Sequence, residues 1–263
     1  DGGSNNFAST NGNCVKKKDM SLKTLDSSLV GYWDMETCDT TNGSCTLASN
    51  KLKDLSWNGN DWIFSGWVLG GNTGWILWKW MTFSSGQYIQ ISNTWSELAN
   101  LWKIDYDYSL LINVKLENYI SWTSLRLIEK TYSTAWNPSY PMYLYYWNNW
   151  SPYLRNFIRS SNPAPVGLTY SFGNYENLSI FQTIYLIVDR KNKLFKMYVN
   201  WKLLKSSDIS NLWDTSNLED LIIWNDNRVA LTNNWYWIID DIKIYNRAIP
   251  WEEIAQQAKI AWF

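Results

Sequence analysis

Short runs of β-forming residues, separated by clusters of Asn, Gly, Ser and Asp, recur along most of this 263-residue chain. Ile, Val, Tyr and Phe are frequent in the runs and favour strands, whereas the separating clusters favour turns. Many short strands at such regular spacing are typical of a β-sandwich or jelly roll. The main strands predicted are Leu29–Trp33, Tyr88–Ile91, Tyr108–Leu116, Ser124–Glu129, Met142–Tyr146, Ile180–Val188, Leu194–Val199, Leu218–Ile223 and Ile238–Tyr245.

The C-terminal segment, 250–261, is the one stretch with clear helical signals. Pro250 suits a first helical turn, the two glutamates that follow suit the N-terminal end of the helix dipole, and Lys259 suits the other end. Residues 1–27 show little periodicity and are interpreted as an N-terminal extension or linker. We therefore predict an all-β fold over residues 28–263, a two-sheet antiparallel jelly-roll sandwich with a short C-terminal helix.

Composition excludes several classes of function. The chain contains no His, which removes Ser-His-Asp and Cys-His catalysis and His-ligated zinc. Its formal net charge of −1 gives no electrostatic footprint for nucleic acid. No apolar run approaches the length of a membrane span. We therefore predict no nucleic-acid partner and no membrane span within this sequence.

The three cysteines are Cys14, Cys38 and Cys45. Cys38 and Cys45 flank a turn-rich stretch, so we predict a disulfide between them, which requires an oxidising compartment. Cys14 is then left over, either as a free thiol or as the partner of a cysteine upstream of this sequence. With no His present, this spacing is poor for zinc.

Twenty tryptophans are an unusually large number for a chain of this length, and several lie at positions where tryptophan is not expected. Trp57, Trp150, Trp201 and Trp235 lie in hairpin-turn contexts, where Asn-Gly is the preferred pair because Gly tolerates positive φ. We interpret most of them, Trp33 excepted, as glycines encoded by UGA in an organism with an alternative genetic code. The alternative is a genuinely Trp-rich protein that stacks on glycans. For this reason none of the suspect tryptophans is assigned to a binding site.

Four blocks of sequence resemble laminin-G-like jelly-roll domains of the concanavalin A-like lectin/glucanase superfamily. Leu29–Glu36 is similar to the opening strand, Lys53–Trp62 to the next motif, Phe195–Lys202 to a late hairpin, and Ile239–Ala248 to the final strand before the closing helix. The blocks occur in the family's order. The resemblance implies two antiparallel sheets, an extracellular or cell-surface location, and glycan binding or adhesion.

The resemblance also implies a possible structural calcium ion. Calcium takes six to eight oxygen ligands from carboxylates, amides and carbonyls. Six hard oxygen donors occur in blocks that the family brings close together, although Asp and Asn also cap turns without any metal. The predicted calcium ligands are Asp34, Asp54, Asn58, Asn60, Asp61 and Asp240.

Alternating tyrosines give the second candidate site. Tyr143 and Tyr145 share one face of a predicted strand, and Tyr153 follows shortly after. Exposed tyrosine rings can stack on sugars, so we predict a glycan-binding surface at these three residues. The alternative is that they pack between the sheets or cover them.

Catalysis is not predicted. Glycosidases need two suitably placed carboxyl groups, and those on this fold carry them on closely alternating positions of one strand. Asp105 and Asp107 alternate but lack a third acid, and the adjacent Asp240 and Asp241 point to opposite faces of a regular strand. We therefore predict no catalytic residue and a non-enzymatic recognition module whose partner is a glycan or a cell-surface protein. The alternative is the structural head of a surface or pilus-like protein that contacts other proteins.

Overall fold

A computed structural model of the chain describes residues 9–10, 13–14, 26–35, 51–56, 58–65, 69–71, 80–83, 88–91, 106–116, 124–130, 142–149, 151–158, 166–171, 180–212, 221–223 and 237–261. The strands are β1 Ser9–Thr10, β2 Asn13–Cys14, β3 Leu29–Trp33, β4 Lys51–Leu52, β5 Trp62–Ser65, β6 Leu69–Gly71, β7 Trp80–Phe83, β8 Tyr88–Ile91, β9 Tyr108–Leu116, β10 Ser124–Lys130, β11 Met142–Asn149, β12 Ser151–Ile158, β13 Val166–Ser171, β14 Gln182–Asp189, β15 Leu194–Val199, β16 Lys202–Asp208, β17 Leu221–Ile223 and β18 Trp237–Tyr245, and the helix is α1 Trp251–Ala261. The predicted all-β fold with a C-terminal helix is confirmed.

The strands from β3 onward form two large antiparallel sheets. Sheet I has the order β13-β12-β11-β10-β17-β8-β5-β4, and sheet II has the order β16-β15-β14-β9-β18-β7-β6, with β3 also paired to β18. Among the described strands, β1 and β2 pair with each other alone, inside the predicted extension 1–27. The boundary after residue 27 stays a prediction.

The inner faces of the two sheets share one apolar core, so the sheets form a sandwich. Leu127, Ile128 and Leu168 come from sheet I and pack in the same cluster as Phe195 and Ile242 of sheet II. Each such side chain contributes about 1.5–3 kcal/mol when it is fully buried. The core therefore fixes which face of each sheet points inward.

The outer face of sheet II carries a second apolar cluster. Ile254 of α1 packs there with Tyr185 and Tyr245, so the helix covers this face. Along β15, Met197 lies in the main core and the next residue, Tyr198, lies in the second cluster. Successive residues of β15 therefore face opposite sides of sheet II.

Arg247 connects the residues just before β3 to the first turn of α1. Its Nη2 atom donates to Asp26 Oδ2 and to Glu253 Oε2, both at 2.7 Å, and its Nε donates to Ser28 Oγ at 2.7 Å. Paired planar donors of this kind make arginine the side chain best suited to such a junction. Asp26 thus contributes to the sandwich although it lies within the predicted extension.

The β15–β16 hairpin turns at Asn200 and Trp201, which have φ angles of 46° and 62°. Since Val199 pairs with Lys202, the loop has two residues with the positive φ angles of a type I′ turn. A residue other than Gly, Asn or Asp pays about 1–2 kcal/mol for this conformation. The backbone at position 201 therefore favours glycine, as the sequence interpretation requires.

Trp62 differs from Trp201. It is fully buried, and its ring stacks on that of Trp33 with the centroids 4.2 Å apart. Its Nε1 atom has no hydrogen-bond acceptor among the described residues. The core thus accommodates an indole at this position, although it leaves the indole N–H unsatisfied. Trp57 lies outside the described residues.

Replacing Trp201 by Gly is expected to stabilise the protein by about 1 kcal/mol, because Gly removes the strain of positive φ. Trp201→Ala is the matched control, since alanine removes the ring but keeps the strain. Urea unfolding of both variants measures the difference. A Trp201→Gly protein no more stable than Trp201→Ala would contradict the argument, and an indole mass at position 201 in peptides of the natural protein would refute the genetic-code hypothesis.

Candidate functional site

The outer face of sheet I is exposed at both described edges. In β4, Lys51 is exposed and Leu52 is buried; in β13, Gly167 and Thr169 are exposed while Leu168 between them is buried. Because side chains alternate between the two faces of a strand, these residues fix which register positions belong to the outer face. The outer positions can then be followed from strand to strand.

Cross-strand pairing places twelve outer positions in three rows across β10, β11, β12 and β13, which we call the tyrosine face. Residues that pair directly in an antiparallel sheet lie on the same face. The rows are Glu129, Tyr143, Phe157 and Gly167; Arg126, Tyr145, Arg155 and Thr169; and Ser124, Trp147, Tyr153 and Ser171.

All three tyrosines proposed for glycan binding belong to this face. Tyr143 and Tyr145 are two residues apart in β11, and Tyr153 is the diagonal neighbour of Tyr145 in β12. Diagonal neighbours in a sheet are about 7–8 Å apart, within reach of aromatic side chains. The register agrees with the prediction that Tyr143 and Tyr145 share a face. The role of the three tyrosines in glycan binding stays a prediction.

A β-bulge in β10 keeps the tyrosine face continuous. The pairing with β11 shifts between Arg126 and Ile128, so that both Leu127 and Ile128 lie in the core. Arg126 and Glu129, on either side of this pair, therefore both pair with outer positions of β11. Bulges commonly re-aim side chains in this way.

The predicted calcium ligands separate into two groups, and the first is the loop 53–61. Both oxygens of Asp54, which is 5% exposed, accept hydrogen bonds from donors of the protein. Oδ1 accepts from the N–H groups of Tyr32 at 3.0 Å and Ser56 at 2.8 Å, and Oδ2 accepts from Ser56 Oγ at 2.9 Å and Asn60 N at 3.0 Å. These donors use both oxygens of the Asp54 carboxylate, and its role as a calcium ligand stays a prediction.

The side-chain amides of the same loop also connect the loop to strand β3. Asn58 Nδ2 donates to Leu29 O and Val30 O, and Asn60 Nδ2 donates to Val30 O, at 2.9–3.0 Å. Asp61 Oδ2 lies 3.0 Å from Lys53 Nζ. These contacts are the ones expected if the Asp and Asn side chains cap turns without a metal.

The second group surrounds Tyr32 on the β3–β18 pair. The Tyr32 hydroxyl donates to Asp241 Oδ1 at 2.8 Å, and Asn113 Nδ2 lies 3.5 Å from Asp241 Oδ2. Burial, and then the negative charges of Asp241, Asp34 and Asp240, raise the pKa of Tyr32 far above its ordinary value. Asp34 and Asp240 thus both lie close to Tyr32, whose backbone N–H donates to Asp54 of the 53–61 loop.

Within the described ranges, no group of three or more Asp, Glu, Cys or His side chains is placed to hold a metal ion. Calcium binding by the six predicted ligands, Asp34 and Asp240 among them, stays a prediction. Cys38 and Cys45, the predicted disulfide, lie outside the described residues. No described helix is both long and apolar enough to cross a membrane.

Arg126 and Arg155 flank Tyr145 in its row and were not assigned to a site from the sequence. Arg126 lies inside a predicted strand, but its row partner was not recognised because β12 was not predicted. Pro152 and several polar residues interrupt the apolar pattern of β12. Alternation of aromatic and charged residues from Tyr153 to Phe157 was the available signal.

No family model matches this chain, and no curated protein matches it either. Solved structures do match at low sequence identity, and they show that this chain has a known fold. At 12% identity and a TM-score of 0.69, one match is a structure of botulinum neurotoxin type C, whose cell entry depends on interaction with two ganglioside molecules; it covers 92% of this chain and 53% of that one.

Two further structures have the same fold. The binding domain of botulinum neurotoxin DC in complex with rat synaptotagmin II is 12% identical with a TM-score of 0.67, covering 89% of this chain and 52% of that one. The binding domain of Paraclostridial Mosquitocidal Protein 1 is 16% identical with a TM-score of 0.66, covering 92% and 53%. This chain therefore spans about half the length of the structures it matches.

Proposed function

We propose that this chain is a non-catalytic, laminin-G-like recognition module that binds carbohydrate outside the cell through the tyrosine face. The observation that carries the proposal is the register of sheet I, which brings Tyr143, Tyr145 and Tyr153 to adjacent positions of one face. That face is exposed at Thr169, in the same row as Tyr145. Aromatic side chains on a rigid sheet form a platform on which a sugar ring can stack.

The matched structures support a binding role. They include toxin binding domains, one of them in complex with SialylT, and a toxin whose cell entry depends on gangliosides. Because they share the fold at low identity and exceed this chain in length, the ligand class for this chain is argued from its own surface.

The described carboxylates support a non-catalytic role. Asp26 pairs with Arg247, Asp61 pairs with Lys53, and Asp189 pairs with Lys196, each within 3.0 Å. A glycosidase needs one carboxyl group available as an acid and another as a base or nucleophile. Although partial burial acts to raise the pKa of Asp26 and Asp189, their hydrogen bonds lower it below the ordinary value, so these two carboxyl groups are poor general acids.

Tyr145→Ala is expected to weaken glycan binding about tenfold or more, as truncation of an aromatic hot spot does. A glycan array identifies the ligand, and calorimetry then gives the affinity of the variant. Tyr145→Phe keeps the ring and should retain most of the binding. Tyr106→Ala is the matched control, since Tyr106 is exposed elsewhere on the chain. Equal loss of binding in Tyr106→Ala and Tyr145→Ala would contradict the assignment.

Calcium at Asp34 and Asp240 forms part of the proposal. The same array is run with calcium and with a chelator, using protein with Gly at the suspect Trp positions. Binding that disappears with chelator favours a calcium-dependent lectin, whereas binding that survives favours the tyrosine face alone.

The second candidate is a structural head domain that contacts protein. Ile180 and Phe181, just before β14, and Leu203 of the β15–β16 hairpin are large apolar residues that are exposed. Hydrogen bonds between Asn200 and Thr183 hold the hairpin tip beside β14. Absence of glycan binding in both array conditions would favour this candidate, because exposed apolar groups mark protein interaction sites.

A further inference from the structure

The middle row of the tyrosine face has a pattern suited to anions. Arg126 in β10 and Arg155 in β12 both pair with Tyr145, one on each side. Neighbouring strands are about 4.8 Å apart, so the two arginine positions lie about 10 Å apart with a tyrosine between them. Exposed Thr169 extends the row on β13. The row therefore combines two guanidinium-bearing positions with an aromatic position between them.

The charge of this face differs from that of the chain. Among the outer positions of the described strands of sheet I, three are basic, namely Lys51, Arg126 and Arg155, and one is acidic, Glu129. The chain as a whole has a formal net charge of −1. A local excess of positive charge on a slightly acidic protein is complementary to an anionic ligand.

We propose that the tyrosine face selects acidic glycans, in which a sugar carries a carboxylate or a sulfate. Planar guanidinium groups bind such oxyanions through two parallel hydrogen bonds, which lysine cannot reproduce. Tyr143, Tyr145 and Tyr153 supply the ring-stacking positions beside the charged row. This inference rests on the proposed carbohydrate-binding function and names its ligand class.

The test compares each acidic sugar with a neutral counterpart. The probes are an oligogalacturonate and its methyl ester, sialyllactose and lactose, and a sulfated and an unsulfated galactose oligosaccharide. At least one acidic probe should bind about tenfold or more tightly than its counterpart, with an affinity that falls as salt increases.

Arg155→Gln and Arg126→Gln should each weaken binding of that acidic probe about ten- to hundredfold and leave the neutral probe unchanged. Arg155→Lys keeps the charge and should recover only part of the affinity. Lys51→Gln is the matched control, because it removes one positive charge from the same face at the far edge, in β4.

The outcomes separate the two proposals. Equal binding of acidic and neutral probes, combined with loss of binding in Tyr145→Ala, would overturn the acidic-glycan inference and leave the carbohydrate-binding proposal standing. Equal losses in Lys51→Gln and Arg155→Gln would also overturn it, since the effect would then be a general one of surface charge. Failure of every probe to bind would overturn both.

Discussion

Replacing Asp54 by Ala is expected to lower the free energy of unfolding by about 3–5 kcal/mol. The carboxylate is 5% exposed and accepts four hydrogen bonds, from Tyr32, Ser56 and Asn60. Alanine leaves three backbone N–H groups, one in β3 and two in the 53–61 loop, without this acceptor, and each unsatisfied group costs about 1–3 kcal/mol. Urea unfolding measures the loss.

Two variants locate the cause of that effect. Asp54→Asn keeps one acceptor oxygen but turns an NH₂ group toward a donor, so its loss should be intermediate. Asp61→Asn breaks an ion pair with the exposed Lys53 and should cost about 1 kcal/mol or less. If chelator lowers the stability of the wild-type protein by as much as Asp54→Ala does, the carboxylate binds a cation and the hydrogen-bond account is wrong.

The large apolar strands could be predicted from sequence because the pattern of burial and the pattern of hydrophobicity agree there. Leu29–Trp33, Tyr108–Leu116 and Leu194–Val199 have the predicted bounds. β16 was missed because it is an edge strand, Lys202–Asp208, whose residues are mostly exposed. An edge strand pairs through its backbone on one side only, so its side chains carry little periodic signal.

The candidate site could be predicted only in part for a related reason. Spacing alone shows that Tyr143 and Tyr145 share a face, but only the cross-strand register shows that Arg126 and Arg155 are their neighbours. The calcium ligands were predicted by residue type, and residue type does not distinguish an oxygen that binds a cation from one that accepts N–H donors. Asp54 illustrates the difference, since the donors it meets belong to strand β3 and to its own loop.

Replacing Gly31 by Ala is expected to destabilise the protein by about 3 kcal/mol, at the upper end of the usual cost of overpacking. Gly31 lies in β3, two residues before Trp33, so the two residues share a face. A Cβ atom on Gly31 would overlap Cη2 of the Trp33 ring and lie 2.6 Å from its Cζ3. Thermal or urea unfolding measures the loss.

The Trp33 ring cannot move aside, because its Nε1 donates to Asn60 O at 3.0 Å and its face stacks on Trp62. Gly59→Ala is the matched control: Gly59 has a φ of 74° with no atom near its missing Cβ, so its cost of about 1 kcal/mol comes from the backbone alone. Trp33→Phe, which shortens the ring, should cost less in the Gly31→Ala background than in the wild type. Equal costs in the two backgrounds would mean that the ring does not require glycine at position 31. A positive coupling would show that the glycine of β3 is required by its contact with the Trp33 ring.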